Sequence, residues 1–235
     1  MVEITDLYKR FGKNKVLNGI NLNINEGGIF AVLGPNGSGK TTIIKSILGM
    51  VLPDSGTIKV FDTSIKNNSE YRHKIDYLPQ IANFPSNLKV NELIKMIKDL
   101  RGSTDEDQYL IETFKLEPFL NKKLGTLSGG TKQKVNILLT FMFNSPIIIL
   151  DEPTTGLDPI SLIRLKELIQ KEKSKGKTIL ITSHIMSFVE EVADEIVFIL
   201  EGKIYFKGSI AELKAKTEQT NFEHAIATIL TDNNA

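Results

Sequence analysis

The sequence predicts an α/β fold around a mostly parallel sheet, and three observations carry the prediction. Residues 29–33 and 147–150 are uninterrupted apolar runs, as expected of parallel strands buried on both faces. Such runs are followed by stretches of helical periodicity, and the repeating order of strand and helix places parallel strands in one sheet with helices on both faces. Between the first run and its helix lies a glycine-rich turn, Gly34-Pro35-Asn36-Gly37-Ser38-Gly39-Lys40-Thr41-Thr42.

From Val2 to Ile24 the apolar residues alternate in short pieces: Val2, Ile4 and Leu7, then Val16 and Leu17, then Ile20, Leu22 and Ile24. Phe11-Gly12-Lys13-Asn14-Lys15 supplies a turn between them, so an N-terminal antiparallel β subdomain is expected. Residues 29–33 form the first buried strand and residues 41–50 the helix it feeds, closed by the turn residues Pro53-Asp54-Ser55-Gly56. Residues 57–61 are again strand-like.

Between residues 64 and 127 helix-compatible pieces take over, and strand signal is nearly confined to Ile75-Asp76-Tyr77-Leu78-Pro79. Val90, Leu93, Ile94 and Ile97 stand at helical spacing, and residues 105–114 repeat the style with Tyr109, Leu110, Ile111 and Phe114. This region predicts an α-helical subdomain inserted into the core, its apolar positions forming core rather than docking surface. A helix over residues 131–143 returns the chain to the core, where strand 147–150, helix 160–173, strand 178–182, helix 185–192 and strand 195–200 follow. Glu201-Gly202-Lys203 turns into Ile204-Tyr205-Phe206, and from Ser209 the chain is helical, with a polar, fraying end over residues 231–235. The expected division is 1–63 and 144–216 for the core and β subdomain, 64–143 for the insert, and 217–235 for a helical tail.

The 235 residues suffice for one substantial α/β domain and are too few for two of full size. With 29 basic and 28 acidic residues the net charge is +1, which leaves no electrostatic footprint for nucleic acid. The absence of cysteine excludes a disulfide framework and thiolate chemistry and fits a reducing compartment. Glu3 and Asp6 stand where a signal peptide would carry bases. No apolar stretch approaches the roughly 20 residues needed to span a bilayer. A cytoplasmic protein that meets a membrane only through a partner is expected.

Residues 34–42 fit the P-loop pattern, glycine, four residues, then Gly-Lys-Thr, set between a buried strand and a helix. Backbone N–H groups of such a loop curl around a polyphosphate, and the emerging helix adds its positive end. Lys40 would reach the β- and γ-phosphates and the Thr41 hydroxyl would ligate Mg²⁺. The run 147–150 delivers Asp151 and Glu152 at its tip, ahead of Pro153, where ligands of open α/β sheets sit. Asp151 would hold Mg²⁺ through water, and Glu152 would orient or deprotonate an attacking water. Leu127-Ser128-Gly129-Gly130 precedes an amphipathic helix and offers free N–H groups, a hydroxyl and a helix N-terminus, a second anion site. His184, read alone, is a polar residue after an apolar strand.

Together with Gln80, Thr155-Gly156-Leu157-Asp158 and Ser183-His184, these stretches stand in the order and approximate spacing of the ATP-binding subunits of ABC transporters. The chain resembles that family from its first strands to Lys216. In family terms residues 34–42 look like Walker A, Gln80 the Q-loop, residues 127–130 the signature, residues 147–153 Walker B, residues 155–158 the D-loop and His184 the switch histidine.

The resemblance implies a P-loop NTPase core that hydrolyses ATP with Mg²⁺ and a head-to-tail dimer with a second copy of itself. Each ATP would lie between one P-loop and the partner's Ser128, Gly129 and Gly130, with Asp158 reading across the interface. His184 would contact the γ-phosphate and hold Glu152 and the water in line. Gln80 would reach the Mg²⁺ and the water and relay nucleotide state to the insert. Phe11 stands where the family places an adenine-stacking tyrosine; the π-face survives without the hydroxyl, while Tyr8 packs under the strands. Thr131-Lys132-Gln133-Lys134 departs from the Gln and Arg that commonly follow the signature glycines; Lys132 and Lys134 keep positive charge nearby but not the forked geometry of Arg.

An integral-membrane permease is the implied partner, its coupling helix received between the Q-loop and the first insert helix. The compact length resembles export-type, ABC-2-like subunits. Residues 78–88 and 127–135 are similar to the copper-site maturation subfamily associated with nitrous oxide reductase. A soluble ABC-type ATPase of DNA repair would need long heptad arms or a clamp, and one of translation a second core and a basic linker; none is present.

Overall fold

The computed structural model describes residues 1–102 and 107–232. The chain opens with strands β1 (Val2–Phe11) and β2 (Asn14–Ile24), then β3 (Gly28–Leu33) and helix α1 (Lys40–Ile47). Strands β4 (Ser55–Val60), β5 (Thr63–Ser64) and β6 (Ile75–Leu78) follow, then helices α2 (Val90–Arg101), α3 (Asp107–Thr113) and α4 (Gly129–Phe141). The rest is β7 (Ile147–Asp151), α5 (Pro159–Ser174), β8 (Thr178–Thr182), α6 (Met186–Val192), the hairpin β9 (Glu195–Leu200) and β10 (Lys203–Gly208), and helices α7 (Ile210–Lys216) and α8 (Phe222–Asp232).

Two sheets result. The smaller runs β2-β1-β4-β5, antiparallel throughout. The larger runs β10-β9-β3-β8-β7-β6, parallel from β9 to β6, with β10 added antiparallel at one edge. Glu201 (φ 48°) and Gly202 (φ 72°) both have positive φ between β9 and β10, the backbone of a tight turn whose twist suits a hairpin.

Strand side chains alternate between two cores, as the period of two demands. Ile29, Ala31, Leu33, Ile148, Leu150, Ile179 and Ile181 point into a core shared with the helices α2 to α8. Phe30, Val32, Ile147, Ile149 and Leu180 point to the other side, against α1 and the antiparallel sheet. Burial on both faces is why these strands read as continuous apolar runs. Each fully buried Ile or Leu contributes roughly 1.5–3 kcal/mol, so the strand tips beyond these runs rest on a rigid platform.

The antiparallel N-terminal sheet, the mostly parallel sheet and the helices agree with the fold class read from the sequence. Strand β6, inside the stretch 64–143, is the edge strand of the parallel sheet through its pairing with β7. Helix α1 stops short of residue 50 because Gly49 turns the chain at φ 66°, and the Met50 amide closes back on the Lys45 carbonyl at 2.8 Å. Helix α4 starts at Gly129, ahead of the expected residue 131, because Ser128 caps it. Part of the helix expected over 105–114 and the last residues of the polar end, 233–235, lie outside the described residues; Thr231 still belongs to α8.

Candidate active site

The P-loop joins the tip of β3 to α1, and two of its three glycines, Gly34 and Gly39, are demanded by the protein's own packing, while a Cβ on Gly37 would meet open space. A Cβ on Gly34 would lie 2.1 Å from the Ile199 carbonyl of β9, and one on Gly39 would lie 2.8 Å from a Leu17 methyl of β2. Gly39 also holds φ 109° at the N-cap of α1 and offers no capping side chain, so the first helical N–H groups have no side-chain cap. Pro35, Asn36 and Gly37 are exposed, Thr41 and Thr42 half-buried. Ser38 is 4% exposed and its hydroxyl has no partner among the described residues. The Lys40 amine donates to the Gly34 and Pro35 carbonyls at 2.7 and 3.0 Å. Burial pushes its pKa down, and the nearby charges of Glu152 and Asp151 pull it back up.

Two buried carboxylates stand beside this loop. Asp151 closes β7 and accepts from the Thr41 hydroxyl at 3.4 Å and from the Thr182 hydroxyl at 2.5 Å. Glu152 turns the chain at φ 51°, a left-handed backbone that costs a non-glycine residue about 1–2 kcal/mol. Its amide is held by the Thr182 carbonyl and hydroxyl, each at 3.1 Å. Its carboxylate lies 2.8 Å from Nδ1 of His184. His184 is largely exposed while Glu152 is 8% exposed in its side chain, so the pair joins the buried carboxylate to the surface. Burial and the charge of Asp151 push the Tyr77 hydroxyl up to about 12.

The structure therefore brings together Gly34 to Thr42, Asp151, Glu152 and His184. Gln80 is exposed, two residues beyond β6, and joins none of these bonds. Phe11 is half exposed at the end of β1, with the Lys9 amine 5.4 Å from its ring centroid. Tyr8 lies across Gly19 of β2, its hydroxyl 2.8 Å from where a Cβ there would stand.

The signature segment is anchored from behind. Ser128 caps α4 by accepting from the Thr131 amide at 3.2 Å. A Cβ on Gly130 would lie 2.6 Å from the Gly156 carbonyl, and Gln133 donates to the Pro153 carbonyl at 2.9 Å. Ser128 and Gly129 are exposed on the other side. Asp158 caps α5, accepting from the Ser161 amide and hydroxyl at 2.9 Å each, and pairs with Lys134 at 2.7 Å. The bond to Lys134, with those from Ser161, holds its carboxyl well below the usual carboxylate range. Both Asp158 oxygens are thus engaged within its own chain.

Sequence reasoning missed Thr182 and Gln133. Thr182 had a faint signal, a hydroxyl at the end of an apolar strand; its bonds depend on β7 and β8 being neighbours, with Asp151 opposite Thr182. Gln133 gave no signal beyond its place after the signature.

Comparison with known proteins identifies the family and the fold. The family profile described as ABC transporter matches residues 17–155. The chain is 38% identical over 213 residues to the lantibiotic transport ATP-binding protein SrtF of Streptococcus pyogenes, covering 87% of this chain and 89% of that protein. It is 33% identical to the Nod factor export ATP-binding protein I of Burkholderia lata, covering 88% of this chain and 70% of that one. Among solved structures, the dimeric post-hydrolysis state of the ATP-binding cassette MJ0796 bound to ADP and Pi superposes with a TM-score of 0.80 at 25% identity, covering 89% of this chain and 98% of that chain. With the P-loop, the paired carboxylates and the capped signature helix in one cassette fold, the chain belongs to the ABC transporter family as an ATP-binding, ATP-hydrolysing subunit.

Proposed function

We propose that this subunit drives transport by closing head to tail on a second copy of itself around ATP and reopening after hydrolysis, and the observation that carries this is the Glu152–His184 contact beside the P-loop. The uncapped start of α1 and the partnerless Ser38 hydroxyl fit a polyphosphate. Lys40 would exchange its loop carbonyls for the β- and γ-phosphates. Thr41 and Asp151 fit Mg²⁺, which binds through few protein oxygens and keeps several waters; among the described residues there is no larger cluster of ligating side chains. When bound, that ion neutralises charge on the phosphates.

Glu152 takes a proton from water as the water oxygen attacks the γ-phosphorus in line, and the bond to the β,γ-bridging oxygen breaks to release ADP and phosphate. His184 holds the Glu152 carboxylate and the γ-phosphate in register, and Gln80 moves in with the nucleotide. Phe11 offers its exposed ring to adenine. Exposed Ser128 and Gly129, with half-buried Gly130, complete the site of the partner copy, with Asp158 beside them.

A groove of about 520 Å³ between the Q-loop strand and α2 is lined by Tyr77, Phe84, Ile97, Leu139 and Phe143, with Lys45 and Arg101 at hand. Its apolar floor suits the coupling helix of an integral-membrane permease, which would hold the subunit on the cytoplasmic face of the membrane; among the described residues no helix is long and apolar enough to cross one. Outward transport accords with the Nod factor export relative. The likeness of residues 78–88 and 127–135 to the copper-maturation subfamily carries a narrower proposal on cargo, which the permease would decide. The division into 1–63 with 144–216, 64–143 and 217–235 is our proposal for core with β subdomain, Q-loop and helical subdomain, and helical tail, with β6 of the second segment paired into the core sheet.

Glu152→Gln tests the mechanism: hydrolysis should fall about 10²- to 10⁴-fold while ATP traps the protein as a dimer by light scattering. Normal hydrolysis in this variant would remove Glu152 from the reaction. Phe84→Ser tests the groove: it should reduce co-purification with the permease while ATP hydrolysis by the isolated subunit persists, and undiminished co-purification would move the docking surface elsewhere.

A further inference from the structure

Asp151 and Glu152 sit on β7, yet the groups that hold them come from the tip of β8. Thr182 is fully buried and its hydroxyl is used twice, donating to Asp151 Oδ1 at 2.5 Å and accepting from the Glu152 amide at 3.1 Å. A single hydroxyl can do both because it carries one proton and two lone pairs. Two residues on, His184 reaches the Glu152 carboxylate at 2.8 Å. Between them the Ser183 hydroxyl accepts from the Ile185 amide at 3.1 Å and fixes the turn. The bond to Asp151 fixes the carboxylate oxygen that Thr41 also approaches, so it sets where the other oxygen is presented. The bond from the Glu152 amide supports a residue whose φ of 51° is unfavourable and which the surrounding structure must therefore hold.

We propose that Thr182 is a positioning residue for ATP hydrolysis, whose hydroxyl sets the orientation of the Asp151 carboxylate toward a divalent cation and holds Glu152 in its left-handed backbone. Fully buried and bonded to Asp151 and to the Glu152 amide, it acts through these two neighbours. A valine would fill the same space without the hydroxyl, leaving Asp151 buried without its shortest donor and the Glu152 amide with the Thr182 carbonyl alone. The inference rests on the reading of Asp151 as the metal-facing carboxylate and Glu152 as the base, so its test carries an Asp151 variant alongside.

The experiment uses the full purified chain with a non-hydrolysable ATP analogue and Mn²⁺ as probe, read by electron paramagnetic resonance, beside steady-state hydrolysis. Loss of an outer-shell partner lowers metal affinity or activity about tenfold to a hundredfold, so Thr182→Val should weaken Mn²⁺ binding and lower kcat by that order while KM for ATP changes little. Thr182→Ser should restore both. Should valine destabilise the fold, serine against alanine isolates the hydroxyl: serine is expected near the parent and alanine reduced. Mn²⁺ affinity and kcat unchanged in the valine variant, or equal losses in serine and alanine, would overturn the role of Thr182. Retention of Mn²⁺ by Asp151→Asn would instead overturn the underlying metal assignment, and Thr182 with it.

Discussion

Around Lys40 and Glu152 the polar side chains answer one another: the Lys40 amine on its loop carbonyls, Thr41 and Thr182 on Asp151, His184 on Glu152. Around Ser128 the bonds run backward instead. Gln133 grips the Pro153 carbonyl, Gly130 lies against Gly156 and Lys134 grips Asp158, while Ser128 and Gly129 are exposed. The first region is a nearly complete chemical site; the second is an edge whose attachments at Gly130, Gln133 and Lys134 lead to the segment that follows Glu152, while farther along α4 Asn136 donates to the Pro79 carbonyl. Such an edge is suited to carry a partner's nucleotide state to the chain's own carboxylate, and allostery of that kind needs a packed physical connection.

Breaking each region separately sharpens the contrast. Ser128→Arg, adding bulk to the exposed edge, should abolish turnover while ATP binding by the monomer stays near the parent. Lys40→Ala should weaken ATP binding about ten- to a hundredfold, the worth of charged hydrogen bonds to phosphate. Isothermal titration beside a phosphate-release assay separates the two. Equal loss of monomer binding in both variants would merge the regions into one site and end the sandwich reading.

Much of the first region was legible in the sequence because its parts are local. The glycine loop, the strand that feeds it and the carboxylates at a strand tip are contiguous segments with recognisable periods. The reason for Gly34 was not legible: its neighbour is the Ile199 carbonyl, placed there by the pairing of β3 with β9. Thr182 was hidden likewise, since its partner Asp151 lies 31 residues away and strand order in a parallel sheet leaves no mark on apolar runs. Lys134 showed its charge in the sequence but not its target. The groove under α2 was expected from resemblance, and apolar spacing alone assigned Phe84 and Ile97 no surface role.

The smallest expected effect concerns the link between the signature helix and the D-loop. Lys134→Met removes the cation from Asp158, a partly exposed pair of the kind worth about 0.2–1 kcal/mol, so kcat should fall by no more than about fivefold. Its signature lies in pH. Asp158 has a folded pKa depressed chiefly by Lys134, with Ser161 assisting, so the stability it contributes is fully present above the unfolded carboxylate value near about 4 and is lost as pH falls through the depressed value. Other carboxylates titrate in both proteins and cancel in the difference. The gap in melting temperature between parent and variant should therefore hold steady at neutral pH and close as the solution is acidified below the ordinary carboxylate range. A gap equally wide in acid would mean that Lys134 supports α4 by packing its stem, and that the tie between signature helix and D-loop rests on Gln133 and Gly130 alone.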